Sequence, residues 1–204
     1  NVKLRPERLA LPLRWARPRR IFVNSMSDLF HELVPLDYIA RVFAVMARAP
    51  QHTFQVLTKR PERMAEIIIG PDFRPLVVDH FETGTDVPGR GPVNGPGLLD
   101  HAGHGSHRPG YACLECDRIR WPLPNVWLGT SIENDRWVHR ADAVRSAPAS
   151  IRFLSLEPLL GSLPSLDLTA IDWVIVGGES GRGFRPMDPA WARDLRDRCL
   201  TAGV

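Results

Sequence analysis

Five short apolar runs, each ending abruptly in polar residues, constrain this chain more than any other feature. They are Ile21-Phe22-Val23, Thr53-Phe54-Gln55-Val56-Leu57, Asn125-Val126-Trp127-Leu128-Gly129, Ile151-Arg152-Phe153-Leu154-Ser155-Leu156 and Ile171-Asp172-Trp173-Val174-Ile175-Val176. They are nearly continuous rather than alternating, which suits strands covered on both faces. Helical patterns lie between them. Ile39, Val42, Phe43 and Met46 recur at i, i+3, i+4 and i+7 after Pro35, and Pro50 ends that stretch. Pro61 takes a first-turn position ahead of residues 62–69. Residues 133–146 read as a helix, and Pro189 opens a last one with Trp191, Leu195 and Cys199 on one face. Residues 159–169 carry Gly, Pro and Ser and read as a loose crossover. Strands alternating with helices predict a parallel sheet with right-handed crossovers.

The expected fold class is therefore α/β, a partial parallel (β/α) barrel with five strands in view. A closed eight-strand barrel needs more chain than 204 residues. Both ends read as cut: Asn1 is not an initiator Met, and the cap-like Ala202-Gly203 is followed by Val204, which looks like the start of another strand. The pattern breaks at Gly70-Pro71, and residues 84–110 hold eight of the sixteen glycines and four prolines. Such a segment cannot bury enough surface to fold alone. The expected division is a first barrel portion (1–69), an insertion or long loop (70–120) and a second barrel portion (121–204), all one domain. Residues 84–110 should be dispensable for folding, since long surface loops cost little to shorten.

Composition excludes little. No apolar run approaches the ~18 residues of a membrane span, and no signal-peptide pattern opens the chain. Three cysteines offer no disulfide framework, which points to a reducing cytoplasm. Net charge is +3, milder than a dedicated nucleic-acid binder usually shows. Arg14, Arg17, Arg19 and Arg20 cluster before the first strand. They are read as a solvated approach to the bottom of the sheet, with a nucleic-acid patch as the other reading.

In sheets of this kind the site lies at the carboxyl ends of the strands. Those ends carry Asn24, Ser25, Ser27 and Asp28; Thr58, Lys59 and Arg60; Thr130, Ser131 and Glu133; Ser155 and Glu157; and Gly177, Gly178, Glu179 and Ser180. Helix capping accounts for a Ser or Asp before a helix, but not for Lys59 or for Glu157 ahead of Pro158. Five polar ends in succession imply a shared pocket. Glu157 and Glu179 are expected to project over the same end of the sheet, with Lys59 and Arg60 as the available cations. Gly177-Gly178 lets a ligand approach the backbone. The run is not G-x-G-x-x-G, and no G-x-S-x-G occurs. His31 is read as structural rather than catalytic. In the insertion, His101, His104 and His107 precede Cys113-Leu114-Glu115-Cys116. That spacing suits zinc, with an unstructured loop as the alternative.

The ordered motifs Val23-Asn24-Ser25-Met26-Ser27-Asp28-Leu29-Phe30-His31, Val56-Leu57-Thr58-Lys59-Arg60-Pro61, Asn125-Val126-Trp127-Leu128-Gly129, Phe153-Leu154-Ser155-Leu156-Glu157-Pro158-Leu159-Leu160 and Val174-Ile175-Val176-Gly177-Gly178-Glu179-Ser180-Gly181 resemble the phage-associated three-Cys-motif family, also called the phage gene-product 37/68 family. That family looks like a branch of the radical S-adenosylmethionine superfamily with a partial (β/α)6 barrel. The resemblance covers nearly all of the chain outside residues 70–120. It implies three cysteines on the loop after the family's first strand, ahead of Asn1 here, holding a [4Fe–4S] cluster whose fourth iron is chelated by S-adenosylmethionine. Cys113, Cys116 and Cys199 do not match those positions.

The resemblance further implies that Ser25, Ser27 and Asp28 meet the methionine amino and carboxylate groups, with Gly177-Gly178-Glu179 near the adenine and ribose. Asn24, Thr58, Lys59, Ser131, Glu157 and Ser180 complete the expected cofactor set, and Lys59 and Glu157 are the candidate catalytic residues. The substrate is unidentified, a nucleic-acid-related one being among the expectations, and the sequence does not give the oligomeric state. Two other readings stay open. One is a non-radical barrel enzyme using Lys59, Glu157 and Glu179 on a small phosphorylated substrate. The other is a non-catalytic phage accessory protein that keeps the scaffold for binding.

Overall fold

The computed structural model describes residues 2–23, 27–84 and 119–204. Five parallel strands form one sheet in chain order: β1 (Arg20–Val23), β2 (Thr53–Thr58), β3 (Val126–Ser131), β4 (Ile151–Leu156) and β5 (Trp173–Val176). All five expected strands form, β5 starting two residues later than the apolar run because Asp172 accepts from the Arg152 backbone N–H at 2.7 Å. The helices are α1 (Pro6–Leu9), α2 (Leu36–Arg48), α3 (Pro61–Ile69), α4 (Phe73–Thr83), α5 (Arg140–Ser146) and α6 (Pro189–Ala202).

Side chains alternate across a strand, so parity and register decide which residues share a face. Phe54, Val56, Val126 and Leu128 join one core with α2, α3 and α4; Leu154 and Leu156 join a second with Leu195 of α6. The register pairs Thr130 with Leu154 and Leu154 with Val174, so both cores lie on the same face. The opposite face carries Phe22, Gln55, Leu57, Trp127, Phe153, Trp173 and Ile175. There the Trp127 and Trp173 rings meet edge-on at 5.5 Å, and the Phe153 and Trp173 rings lie 5.8 Å apart. No described helix contributes to that face.

Of the expected stripe, α2 buries Ile39, Phe43 and Met46 and leaves Val42 half-buried against the same core, and it adds Ala40, Ala44 and Val45. Three helix ends fall where local chemistry predicts. α3 begins at Pro61, α6 is capped by Asp188 accepting from Ala190 N–H, and Gly203 closes α6 at φ 77°. The stretch 133–146 is not one helix. Asn134 caps a short 3-10 turn at Asp135–Trp137, and α5 starts only at Arg140. Between β4 and β5 no helix forms, as expected, but Leu159, Leu163, Leu166 and Leu168 are buried there in place of a helix face.

The segment from residue 70 onward begins differently from the expectation. Gly70 is a turn between two helices, and α4 packs on α2 with Phe73 and Val77 fully buried. The Phe43 and Phe73 rings meet edge-on at 5.1 Å. So residues 73–83 belong to the core. Residues 85–118, including His101, His104, His107, Cys113 and Cys116, lie outside the described residues.

Candidate functional site

The carboxyl edge of the sheet carries a run of contacts that ties each strand end to the next. Asp28, after β1, is the first knot. Its Oδ1 accepts from the Thr58 hydroxyl at 2.7 Å and from Phe30 N–H at 2.9 Å. Its Oδ2 accepts from Lys59 N–H and from Arg60 Nη1, both at 3.1 Å. Four donors leave this carboxylate occupied as a clamp between β1 and β2. Thr58 in turn accepts from Arg60 N–H at 2.9 Å, and its carbonyl accepts from the buried Thr130 hydroxyl at 2.8 Å. Asn24 and Ser25 lie outside the described residues; Ser27 is exposed.

From β2 to β3 the link is ionic. Lys59 Nζ lies 2.6 Å from Glu133 Oε1, and Glu133 Oε2 lies 3.3 Å from Arg140 Nη1. The carboxylate is nearly buried while the Lys59 side chain is 61% exposed. Arg140 also donates to the Ser131 carbonyl at 2.9 Å and stacks over Trp137 at 4.1 Å. Burying a charge is costly unless it is paired, and Glu133 is paired twice. Arg140 was not among the sequence candidates. The only available signal was its place seven residues after Glu133, which the 3-10 turn brings round.

From β3 to β4 the register sets Ser131 opposite Ser155, both buried on the face away from the helices. From β4 to β5, Glu157 lies against Gly177: a Cβ on Gly177 would collide with Glu157 Oε1 and stand 3.0 Å from its Cγ and Cδ. Only glycine leaves that carboxylate its place. Glu157 is exposed and has no hydrogen-bond or ion-pair partner among the described residues.

The expected cation pairing is corrected. Lys59 and Arg60 are engaged by Glu133, Asp28 and, at 3.8 Å, Glu32, not by Glu157 or Glu179. Glu179 is instead closed onto its own loop. Its Oε2 accepts from Arg185 N–H at 2.7 Å and from Arg185 Nε at 2.8 Å. These hydrogen bonds hold its carboxyl well below the ordinary range, at about 2. Gly178 and Ser180 beside it are exposed. His31 accepts from Leu33 N–H at 3.1 Å, a turn contact. Cys199, on α6, packs against the second core. No group of three His, Cys, Asp or Glu side chains suited to a metal occurs among the described residues. A cavity of about 470 Å³ borders Ser27, but its walls are mainly α2, β1 and the N-terminal arm, with Ile21, Val23, Val45, Met46 and Phe54 among them.

What the strand-end arc offers is a carboxylate without a partner among the described residues, exposed backbone at Gly178, two buried hydroxyls and a paired lysine. That set can accept from an ammonium or from ribose hydroxyls, and it can receive a flat base against glycine. No helix of the described residues is long and apolar enough to cross a membrane. No curated protein and no solved structure matches this chain. One family's sequence model matches residues 1–204, and the chain belongs to that family, DUF5131, a family of proteins of unknown function.

Proposed function

We propose that this chain is the cofactor-binding part of a (β/α) barrel enzyme of the radical S-adenosylmethionine type, phage-associated as its motifs suggest. The observation that carries the reading is Glu157, a strand-end carboxylate with no partner among the described residues, seated against Gly177, where a larger residue would turn it aside. Sequential strand order with helices on one face supports the barrel part of the proposal. Closing such a sheet puts Ser131, Ser155 and Glu157 at the mouth of its interior, over the aromatic wall of Trp127, Phe153 and Trp173.

The described residues fit S-adenosylmethionine, and they do not fit an iron–sulfur cluster. Glu157 suits the methionine ammonium or the ribose hydroxyls. Gly178 leaves exposed backbone for the adenine, and Ser131 and Ser155 supply short hydroxyls. When bound, the cofactor supplies the chemistry, and the chain supplies placement and exclusion of water. Cluster ligands are not found among the described residues, so no step is assigned through the cluster. Glu179, held by Arg185, shapes the loop rather than meeting the cofactor.

Titration calorimetry with S-adenosylmethionine tests this on the chain as it stands. Glu157→Gln should weaken binding by ~1–3 kcal/mol, the scale of losing a charged hydrogen bond, with an unchanged melting temperature. Equal affinities for wild type and variant would remove Glu157 from the site, and no binding by either would sink the proposal.

A further inference from the structure

Charge is distributed very unevenly along this chain. Residues 2–20 hold Lys3, Arg5, Arg8, Arg14, Arg17, Arg19 and Arg20 against a single acid, Glu7, a net of +6. The whole chain carries +3, so everything after residue 20 is net acidic. Beyond residue 20, the described chain neutralises many of its cations: Lys59 and Arg140 share Glu133, Arg60 meets Asp28, Arg145 meets Asp142 and Asp167, Arg185 meets Glu179, and Arg198 meets Asp194. The N-terminal arm does the opposite. All seven of its basic residues are exposed, and among the described residues only Arg5 has an acidic neighbour, Glu7 at 3.6 Å.

These like charges are held together rather than left on a loose tail. Leu4 and Leu13 pack into the main core. The buried His52 clamps the arm, its Nδ1 accepting from Arg19 N–H at 3.2 Å and its Nε2 meeting the Pro12 carbonyl at 2.9 Å. Arg19 lies flat over Trp15 at 4.5 Å. At the other end, Arg5 N–H donates to the Tyr38 hydroxyl at 3.3 Å, beside the first turn of α2. Thr53 N–H donates to the Arg19 carbonyl at 2.9 Å where β1 and β2 begin. The arm's backbone therefore runs from the start of β1 to the start of α2, and Arg5 and Arg8 border the same cavity as Ile21, Phe22 and Val23. Phe22, 42% exposed, shares a strand face with Arg20 on β1.

Fixing unpaired like charges side by side costs self-repulsion that a polyanion would relieve. Six of the seven are arginines, whose planar forks match phosphate oxygens, and an open aromatic ring beside them is a stacking platform for a base. A membrane surface fits less well: the arm has no helix longer than four residues and so no amphipathic face to lay on a bilayer. We propose that the N-terminal arm and β1 form a binding surface for a single strand of nucleic acid, phosphates on the guanidiniums and a base on Phe22. The inference needs the sheet open at β1, because Phe22 lies on the face that a closed barrel would enclose.

Fluorescence anisotropy with a fluorescein-labelled 20-nucleotide strand of mixed sequence tests it, on the whole chain. Binding should weaken about fiftyfold between 50 and 200 mM salt if about four phosphates are contacted. The triple variant Arg14→Ala, Arg17→Ala, Arg20→Ala should lose at least tenfold in affinity and most of that salt dependence, while calorimetry with S-adenosylmethionine gives the wild-type result. Phe22→Ala should cost about tenfold for the single strand and nothing for a duplex of the same sequence. Circular dichroism melts confirm that the variants fold. No binding at 50 mM salt, or binding that the triple variant leaves intact, overturns the proposal. So does a Phe22→Ala variant that binds the single strand as wild type does. Capture by vesicles of one-third phosphatidylserine in phosphatidylcholine, without oligonucleotide binding, overturns it in favour of a lipid surface.

Discussion

Glu179 and Arg185 form a bracket within one loop, and its consequence is electrostatic. The carboxyl, ordinarily near 4.5, is drawn to about 2, first by the Arg185 side-chain hydrogen bonds and then by the Arg185 backbone N–H. A folded-state value below the unfolded one means that the bracket stabilises fully above about pH 4.5, and that this is lost as pH falls through about 2. Carbon-13 NMR of the Glu179 carboxyl should therefore show a midpoint near 2. Arg185→Ala should move it up toward the ordinary value without reaching it, because the backbone donor stays. A wild-type midpoint near 4.5 would show the bracket open in solution. Gly129 makes a different kind of claim. A Cβ there would stand 2.6 Å from both the Phe153 ring and the Phe153 carbonyl oxygen. The carbonyl belongs to the paired strand and cannot step aside, so Gly129→Ala should destabilise by about 1–3 kcal/mol, the scale of overpacking. Urea unfolding that leaves the midpoint in place would contradict that geometry.

At the scale of elements, α4 is the case that separates core from insertion. Phe73 is 1% exposed, edge-on to Phe43 and 6.0 Å from Trp121. His80 on the same helix meets Asp37 of α2 at 2.7 Å. A buried Phe cut to Ala leaves a cavity and typically costs 3–5 kcal/mol, so Phe73→Ala should lower the unfolding free energy by about that much. A surface insertion would shift by a few tenths only, which gives the measurement two well-separated outcomes. The strand ends show the same principle in polar form. Asp28 joins β1 to β2 and Glu133 joins β2 to β3, so the arc is built from contacts between elements rather than within them.

Over the whole molecule, the sheet is asymmetric in two directions. Helices cover one face and aromatic residues line the other, while the basic arm runs along the β1 edge. β3 is paired on both sides and β1 on one. Amide protection follows the number of paired neighbours and the density of packing. Hydrogen exchange should therefore be slowest over Val126–Ser131 and fastest, among the strands, over Arg20–Val23. Slower exchange in β1 than in β3 would mean that the β1 edge is covered in solution, by a second copy or by further chain.

The sequence alone determined where the strands lie, where they turn polar and which stripe of α2 is buried, because these follow from local rules: side-chain period, proline's missing donor, and glycine or Asp at helix ends. The sequence model of DUF5131 spans residues 1–204. Only the tertiary structure decided the rest. It made residues 73–83 a core helix, although Pro75 in their sequence resembles a breaker, because a first-turn proline gives up no helical hydrogen bond. It sent Lys59 to Glu133, Arg60 to Asp28 and Glu179 to Arg185, leaving Glu157 without a partner among the described residues. It also laid the backbone of the arm from the start of β1 to the start of α2. Each of those outcomes depends on strand register and on loops closing over tens of residues. Charge partners at such separations are chosen by where the backbone places them, and no pattern read along the chain carries that distance.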